Sequence, residues 1–265
     1  MKTMIFAAGL GTRLKPLTDT MPKALVPVNG RPLLEHVLTK LSAVRNPGTL
    51  EPAFSEAVVN VHHFADSIEE WIASMADKAG ETSLLPVKVS DERACLLETG
   101  GGILHARDLL DGCGHFLVHN VDILSDLDIE WFISSVRNDS LATLLVSRRK
   151  TSRYLLFDPD SMRLVGWTNV STGEVRSPYP ALDPSSCLAL AFSGIHIMSD
   201  KVFDVMDIYA RKQGLSENPR FPIIDFYLSV CMEHDIRGVV ADSLTMIDVG
   251  KLDTLEQAEQ QFAAL

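Results

Sequence analysis

Short apolar runs broken by glycine or proline alternate along this chain with stretches whose apolar residues recur every three or four positions. The run Met4 to Ala8 predicts a buried strand that stops at Gly9. A turn at Asn29-Gly30 follows, and Arg31-Pro32 is expected to open a helix carrying Leu33, Leu34, Val37, Leu38 and Leu41 on one face, stopped by Asn46-Pro47-Gly48. The same alternation continues with a strand at Ala57 to Val61 and a helix built on Phe64, Ile68, Trp71, Ile72 and Met75. Next come a strand at Pro86 to Ser90, a helix running through Leu110, and a strand from Phe116 that ends in the polar cluster at Asn120-Val121-Asp122. From Asp128 a helix is expected to turn Trp131, Phe132 and Val136 inward, before a strand at Leu141 to Val146. Beyond that point the pattern changes. Tyr154 to Phe157 and Leu164 to Trp167 flank a turn at Asp158-Pro159-Asp160, which reads as a hairpin rather than a crossover helix. Leu188 to Met198 reads as a long strand kinked at Gly194. Helices at Lys201 to Arg211 and from Phe221, a strand at Ile236 to Ala241 and a helix from Leu252 to Phe262 complete the pattern.

Strands alternating with helices predict an α/β chain with a largely parallel sheet. The 265 residues are 46% apolar and 22% charged, enough for a sizeable core, with no repeat or low-complexity linker. A formal net charge of −11 argues against general binding to nucleic acid or anionic membranes. It leaves room for one small basic pocket. Cys95, Cys113, Cys187 and Cys231 show no C-x-x-C spacing, so neither a zinc site nor a disulfide framework is suggested. No stretch approaches the ~20 apolar residues of a membrane span, and the first apolar run is short for a signal peptide. A soluble, cytoplasmic protein is expected.

The candidate chemistry begins where the first strand ends. Gly9 and Gly11 permit a sharp turn with N–H groups facing outward, a cradle for phosphate oxygens, and Thr12, Arg13 and Lys23 add a hydroxyl and two cations. A dinucleotide fingerprint would need a third glycine where Leu14 stands, and the P-loop pattern is absent. Gly100-Gly101-Gly102 at the start of a helix could admit an anionic or flat ligand, or could serve strand–helix packing alone. Asp122, at the carboxyl end of a strand, suits either a Mg²⁺ ligand or a cap on the next element. His62-His63 lacks a metal partner at useful spacing and reads as structural. Arg148, Arg149, Lys150 and Arg153 form a solvated edge or, through Arg153, a receptor for a phosphorylated group.

The composite Gly9-Leu-Gly11-Thr-Arg13-Leu with Pro16-Leu-Thr18 and Pro22-Lys23 resembles the signature of the sugar-1-phosphate nucleotidyltransferases. Leu97-Glu98-Thr99-Gly100-Gly101 and Ile247-Asp248-Val-Gly250 resemble two further elements of that family. The resemblance implies a Rossmann-like three-layer sandwich with a mostly parallel mixed sheet. It implies a single domain over 1–265, with a nucleotide-binding half (1–147), a sugar-binding half with the C-terminal helix (148–265), and no β-helix domain. The implied substrates are a nucleoside triphosphate, UTP or GTP, and a sugar 1-phosphate, with Mg²⁺ as cofactor. Ala8, Gly9, Gly11, Thr12, Arg13 and Lys23 would hold the triphosphate, Glu98, Gly100 and Gly101 would flank the base, and Asp122 and Asp248 would bind the metal. Arg13, Lys23 and Asp122 would be catalytic, and Asn169 and Gly194 would face the sugar. The family's Glu-Lys-Pro element is replaced by Trp167-Thr168-Asn169, which leaves the sugar-phosphate contact unassigned. A silent nucleotide-sugar-binding relative and a glycosyltransferase are the competing readings. The latter usually shows Asp-x-Asp where this chain has Asn120-Val121-Asp122.

Overall fold

The computed structural model describes residues 1–77, 84–215 and 219–262. In chain order the elements are β1 (Lys2–Phe6), β2 (Pro27–Val28), β3 (Arg31–Pro32), α1 (Leu33–Ala43), β4 (Glu56–Val61), α2 (Ala65–Asp77), β5 (Val87–Asp91), α3 (Glu98–His105), α4 (Arg107–Leu110), β6 (His115–Asn120) and β7 (Ile123–Ser125). They continue with α5 (Ile129–Ser134), β8 (Ala142–Ser147), β9 (Arg153–Phe157), β10 (Leu164–Asn169), β11 (Glu174–Arg176), β12 (Leu188–Ser199), α6 (Val202–Lys212), α7 (Ile223–Val230), β13 (Ile236–Val240), β14 (Met246–Asp248) and α8 (Leu252–Gln261). Single 3₁₀ turns at Thr12–Leu14, Leu17–Asp19 and Lys23–Leu25 occupy the segment after β1.

The main sheet runs in the order β11-β10-β9-β12-β6-β1-β4-β5, with β8 and β13 attached through β12. Its pairs β6-β1, β1-β4, β4-β5 and β8-β13 are parallel. β12 runs antiparallel to β6, β8 and β9, and β9-β10-β11 form an antiparallel meander. Neighbouring residues on the strands point to opposite faces, and both faces are buried. Ile5, Val59, Leu117 and Leu145 join one core with α1, α2, α5 and α8. Met4, Val58, Val118 and Leu144 join the other with α3, α4, α6 and α7. This is the expected three-layer sandwich on a mixed sheet, parallel through its central run β6-β1-β4-β5.

Several local readings shift for physical reasons. β1 ends at Phe6 rather than Ala8, because the N–H groups of Ala7 and Ala8 both donate to the Asn60 side chain instead of a neighbouring strand. Arg31-Pro32 is a strand. Asn29 and Gly30 both carry positive φ (51° and 79°), which closes a tight β2–β3 hairpin, and Pro32 becomes the N-cap residue of α1. The helix expected through Leu110 breaks at Ala106 into α3 and α4. Trp131, expected inside, is 40% exposed, whereas its neighbour Phe132 is fully buried. Asp128 caps α5 by accepting from Trp131 N. Gly194 does kink β12: its φ of 77° sits inside the register shift between Phe192 and His196. Among the described residues no helix is long and apolar enough to cross a membrane.

Candidate active site

The carboxyl ends of β1, β4 and β6 open onto a cavity of about 560 Å³, the place where open parallel sheets collect ligands. One wall is the segment from Phe6 to Arg13. A second segment, Leu96, Glu98 and Thr99, forms another part of the wall, and Asn60, Asn120, Val121, Asp122, Lys23 and Gly250 complete the lining.

The first wall is shaped by Gly11. Its φ is 62°, its carbonyl accepts from Leu14 N and Thr18 Oγ1 (both 2.9 Å), and a Cβ there would crowd Thr18 Cγ2 at 2.9 Å and Lys23 Cβ at 3.1 Å. Leu14 is fully buried and pins the turn, which leaves Thr12 and Arg13 exposed on it. Gly9 is open: a Cβ would meet nothing within 4 Å. Lys23 sits in the 3₁₀ turn after Pro22, largely buried, and its ammonium forms an ion pair with Asp122 Oδ2.

Asp248 arrives from the far end of the sequence. β14 pairs antiparallel with β7, Asp248 standing opposite Ile123, and Val249 N donates to the Asp122 carbonyl at 2.8 Å. This clip sets the Asp248 and Asp122 side chains against each other. Asp248 keeps one side in solvent. The protein packed on its other side, and next the Asp122 charge, push its carboxyl above the usual carboxylate range, against the opposing pull of Lys23 and Arg13. A Cβ on Gly250 would lie 2.7 Å from Asp248 Oδ1 and 2.9 Å from Arg13 Nη2, so a larger residue there would displace the ends of these two side chains. Arg13, Lys23 and Asp122 line the cavity, and Asp248, which is not among its lining residues, stands against Asp122 at that edge, so that two cations sit beside two carboxylates.

The base-side expectation divides. Glu98 and Thr99 line the cavity, and Glu98 holds φ 64° while pairing with Arg220 at 3.2 Å. Gly100 and Gly101 do not line it. Their N–H groups both donate to the Phe221 carbonyl (2.8 and 3.1 Å), and Cβ atoms on them would overlap the Phe221 ring and the Pro219 carbonyl oxygen. Packing accounts for these two glycines. Asn169 shapes the β10–β11 turn, its Oδ1 accepting from Ser171 N and its carbonyl from Gly173 N. Gly194 is buried against Asn120, where a Cβ would come 2.6 Å from Nδ2. Neither Asn169 nor Gly194 lines the cavity, although Gly194 abuts a residue that does. The basic cluster lies elsewhere: Arg148 pairs with Asp242, and Arg149 donates to the Phe192 carbonyl. His62 bonds the Glu92 carbonyl through Nδ1, a structural role.

Asn60 is a lining residue that sequence reasoning passed over, and Thr99 and Asn120, named there only within longer segments and given no role, also line the cavity. Asn60 had one available signal, a lone amide inside the buried run Ala57 to Val61, since a buried polar group must find partners.

Two carboxylates in contact form an oxygen donor set suited to a hard cation such as Mg²⁺, which takes one or two carboxylates and fills its remaining positions with water and phosphate. Among the described residues no group of three or more His, Cys, Asp or Glu side chains is placed to hold a metal, so a cation here would depend on substrate oxygens.

The family model described as Nucleotidyl transferase matches residues 2–162. The chain is 47% identical over 120 residues to the N-acetylmuramate alpha-1-phosphate uridylyltransferase of Caulobacter vibrioides, a match covering 45% of this chain and 44% of that protein. It is 42% identical over 130 residues to the protein of the same name from Neisseria meningitidis serogroup B, covering 48% and 49%. Each match therefore spans less than half the length of the relative. The fold superposes on a UDP-glucose pyrophosphorylase solved with UDP-glucose at a TM-score of 0.71 and 16% identity, covering 99% of this chain and 98% of the other.

Proposed function

Because the chain belongs to the nucleotidyl transferase family, we propose that it joins a sugar 1-phosphate to UTP, giving a UDP-sugar and pyrophosphate with Mg²⁺ as cofactor. The observation that carries this reading is the meeting of Arg13, Lys23, Asp122 and Asp248 beside the cavity-lining turn from Gly9 to Arg13. In the reaction a sugar-phosphate oxygen attacks the α-phosphorus, a new P–O bond forms, and the bond from the α-phosphorus to the bridging oxygen breaks as pyrophosphate leaves. The attacking oxygen is already ionised near neutral pH, so no general base is required, and the task is to align and neutralise two anions.

The placement of these residues supports the following roles. The turn from Ala8 to Thr12 would receive the triphosphate. Arg13, whose planar fork suits phosphate oxygens, would take the departing pyrophosphate. Lys23 would turn from Asp122 toward charge building at the α-phosphate. Asp122 and Asp248 would hold Mg²⁺, which supplies charge neutralisation across the reacting phosphates. Glu98 and Thr99 would border the base. Residues 1–147 then supply most of the nucleotide side and 148–265 the acceptor side, in a cytoplasmic enzyme. The choice of UTP and of an N-acetylmuramate-like acceptor is supported by the relatives' names.

The test is pyrophosphate release across four nucleoside triphosphates and a panel of sugar 1-phosphates that includes N-acetylmuramate 1-phosphate, with Mg²⁺ and with chelator. Release with UTP, abolished by EDTA and restored by Mg²⁺, is the expected result. Release with GTP alone would overturn the choice of base. Binding of a nucleotide sugar with no release from any pair would overturn the reaction in favour of a silent relative or a glycosyltransferase.

A further inference from the structure

Beneath the cavity lies a carboxylate that the reaction does not use. Glu92 is 2% exposed, and its two oxygens are held by amide groups rather than by a cation. Its Oε1 accepts from Asn60 Nδ2 at 2.7 Å, and its Oε2 accepts from Leu97 N at 3.1 Å. Asn60, also 2% exposed, presents its Oδ1 to Ala7 N at 2.7 Å and Ala8 N at 3.3 Å. Four hydrogen bonds therefore run without a break from the last residues before the Gly9 turn to the residue before α3.

The polarity of this chain of bonds admits one arrangement. Ala7 and Ala8 can only donate, which fixes the Asn60 oxygen toward them and its amide hydrogens toward Glu92. Leu97 N can only donate, so Glu92 must accept at both ends, and among side chains of this length only a carboxylate does so. The carboxylate is seated rigidly: the Glu92 backbone carbonyl accepts from Cys95 N at 3.0 Å and meets His62 Nδ1 at 2.7 Å, and the Glu92 N–H donates to Val61 O at 2.8 Å. It also explains the third glycine of the run, since a Cβ on Gly102 would lie 2.7 Å from Glu92 Oε1.

The two ends of the chain of bonds belong to two different segments of the cavity lining. Ala7 and Ala8 lead into the turn from Gly9 to Arg13, while Leu97 lies between Leu96 and Glu98, both lining residues. We propose that the buried Asn60–Glu92 pair is the positioning device that sets the separation of the triphosphate turn from the base-side wall, and so governs nucleotide affinity without touching the nucleotide's reacting atoms. The inference rests on the nucleotide reading of the cavity and deepens it.

The test uses polarity. Glu92→Gln sets an amide NH₂ against either Asn60 Nδ2 or Leu97 N, and Asn60→Asp sets two carboxylates face to face. Combining them restores every bond. The introduced aspartate accepts from Ala7, Ala8 and the new glutamine's amide, while the oxygen of that glutamine accepts from Leu97 N. Each single variant is expected to raise the KM for the nucleotide about tenfold, with kcat and the sugar-phosphate KM within about twofold. The double variant is expected to return the nucleotide KM to within about threefold of wild type. Folded single variants with an unchanged nucleotide KM, or with both KM values raised equally, would overturn the proposal. So would a double variant that regains the wild-type Tm but not the nucleotide KM.

If the single variants do not fold, the double variant and Gly102→Ala, which pushes on the carboxylate without changing any donor or acceptor, take their place under the same criteria. Should wild type release no pyrophosphate, the proposed reaction fails, and calorimetric Kd values for UTP on the same variants decide the positioning role separately.

Discussion

Gly101→Ala separates packing from ligand contact in the glycine run. The added methyl group would overlap the Pro219 carbonyl oxygen and lie 3.0 Å from the carbonyl carbon, both main-chain atoms that no rotamer change can move aside. To make room, the segment carrying Pro219 and Phe221 must withdraw from α3. The Phe221 carbonyl then loses the donors Gly100 N and Gly101 N, and Phe221 N is drawn away from Leu97 O. Two net hydrogen bonds at about 1 kcal/mol each and a buried carbonyl left short of donors at about 1–3 kcal/mol sum to roughly 3–5 kcal/mol. For a chain of this size that is a Tm lower by about 10 °C. Gly9→Ala is the counterpart. Its Cβ meets nothing within 4 Å, so urea unfolding should differ from wild type by less than about 0.5 kcal/mol, while the nucleotide KM rises because Gly9 lines the cavity. Urea titrations of both variants, paired with nucleotide titrations, read the contrast directly. A Gly101→Ala protein as stable as wild type but unable to bind nucleotide would refute the packing argument and return Gly101 to the base.

Further outcomes are expected. Asp122→Asn should fold and lose about 10²–10³ in kcat, by analogy with other preorganised electrostatic sites, measured as pyrophosphate release; turnover near wild type would remove Asp122 from the reaction. Two fully buried histidines give the protein an acid-sensitive core. Burial lowers His119 from the usual 6.5 to about 4 and His196, held by Tyr227 OH, to about 3. Between pH 6.5 and those values the unfolded chain binds protons that the folded chain refuses, so stability falls as pH falls. From pH 7 to 5 each histidine should subtract roughly 2 kcal/mol. Denaturant titrations at the two pH values check this, and a His196→Gln protein should lose about half of the difference.

Much of the fold was legible because burial leaves a periodic trace. The runs at Met4, Ala57, Phe116 and Leu141 are strands covered on both faces, and such strands read as unbroken apolar stretches. The hairpin after Arg153 was visible from its turn residues, and the kink at Gly194 from a glycine inside a strand. The elements near the site were legible as motifs, because glycine turns and strand-end carboxylates occupy characteristic positions. What stayed hidden depends on single long-range contacts. Nothing in the segment around Glu92 announces that its carboxylate reaches Asn60, and nothing around Gly101 announces Pro219. Trp131 follows the helical period yet faces outward, since periodicity marks a face and does not say how far the neighbouring layer extends over it.

The β7–β14 clip has a consequence for how the protein comes into being. Lys23 and Asp122 are synthesised well before Asp248, and only the pairing of Met246–Asp248 with Ile123–Ser125 brings the second carboxylate to the first. A nascent chain can therefore raise most of its sheet while the acidic half of the site is still a lone aspartate. Competence would arrive as a late event in biogenesis, timed by the docking of one three-residue strand.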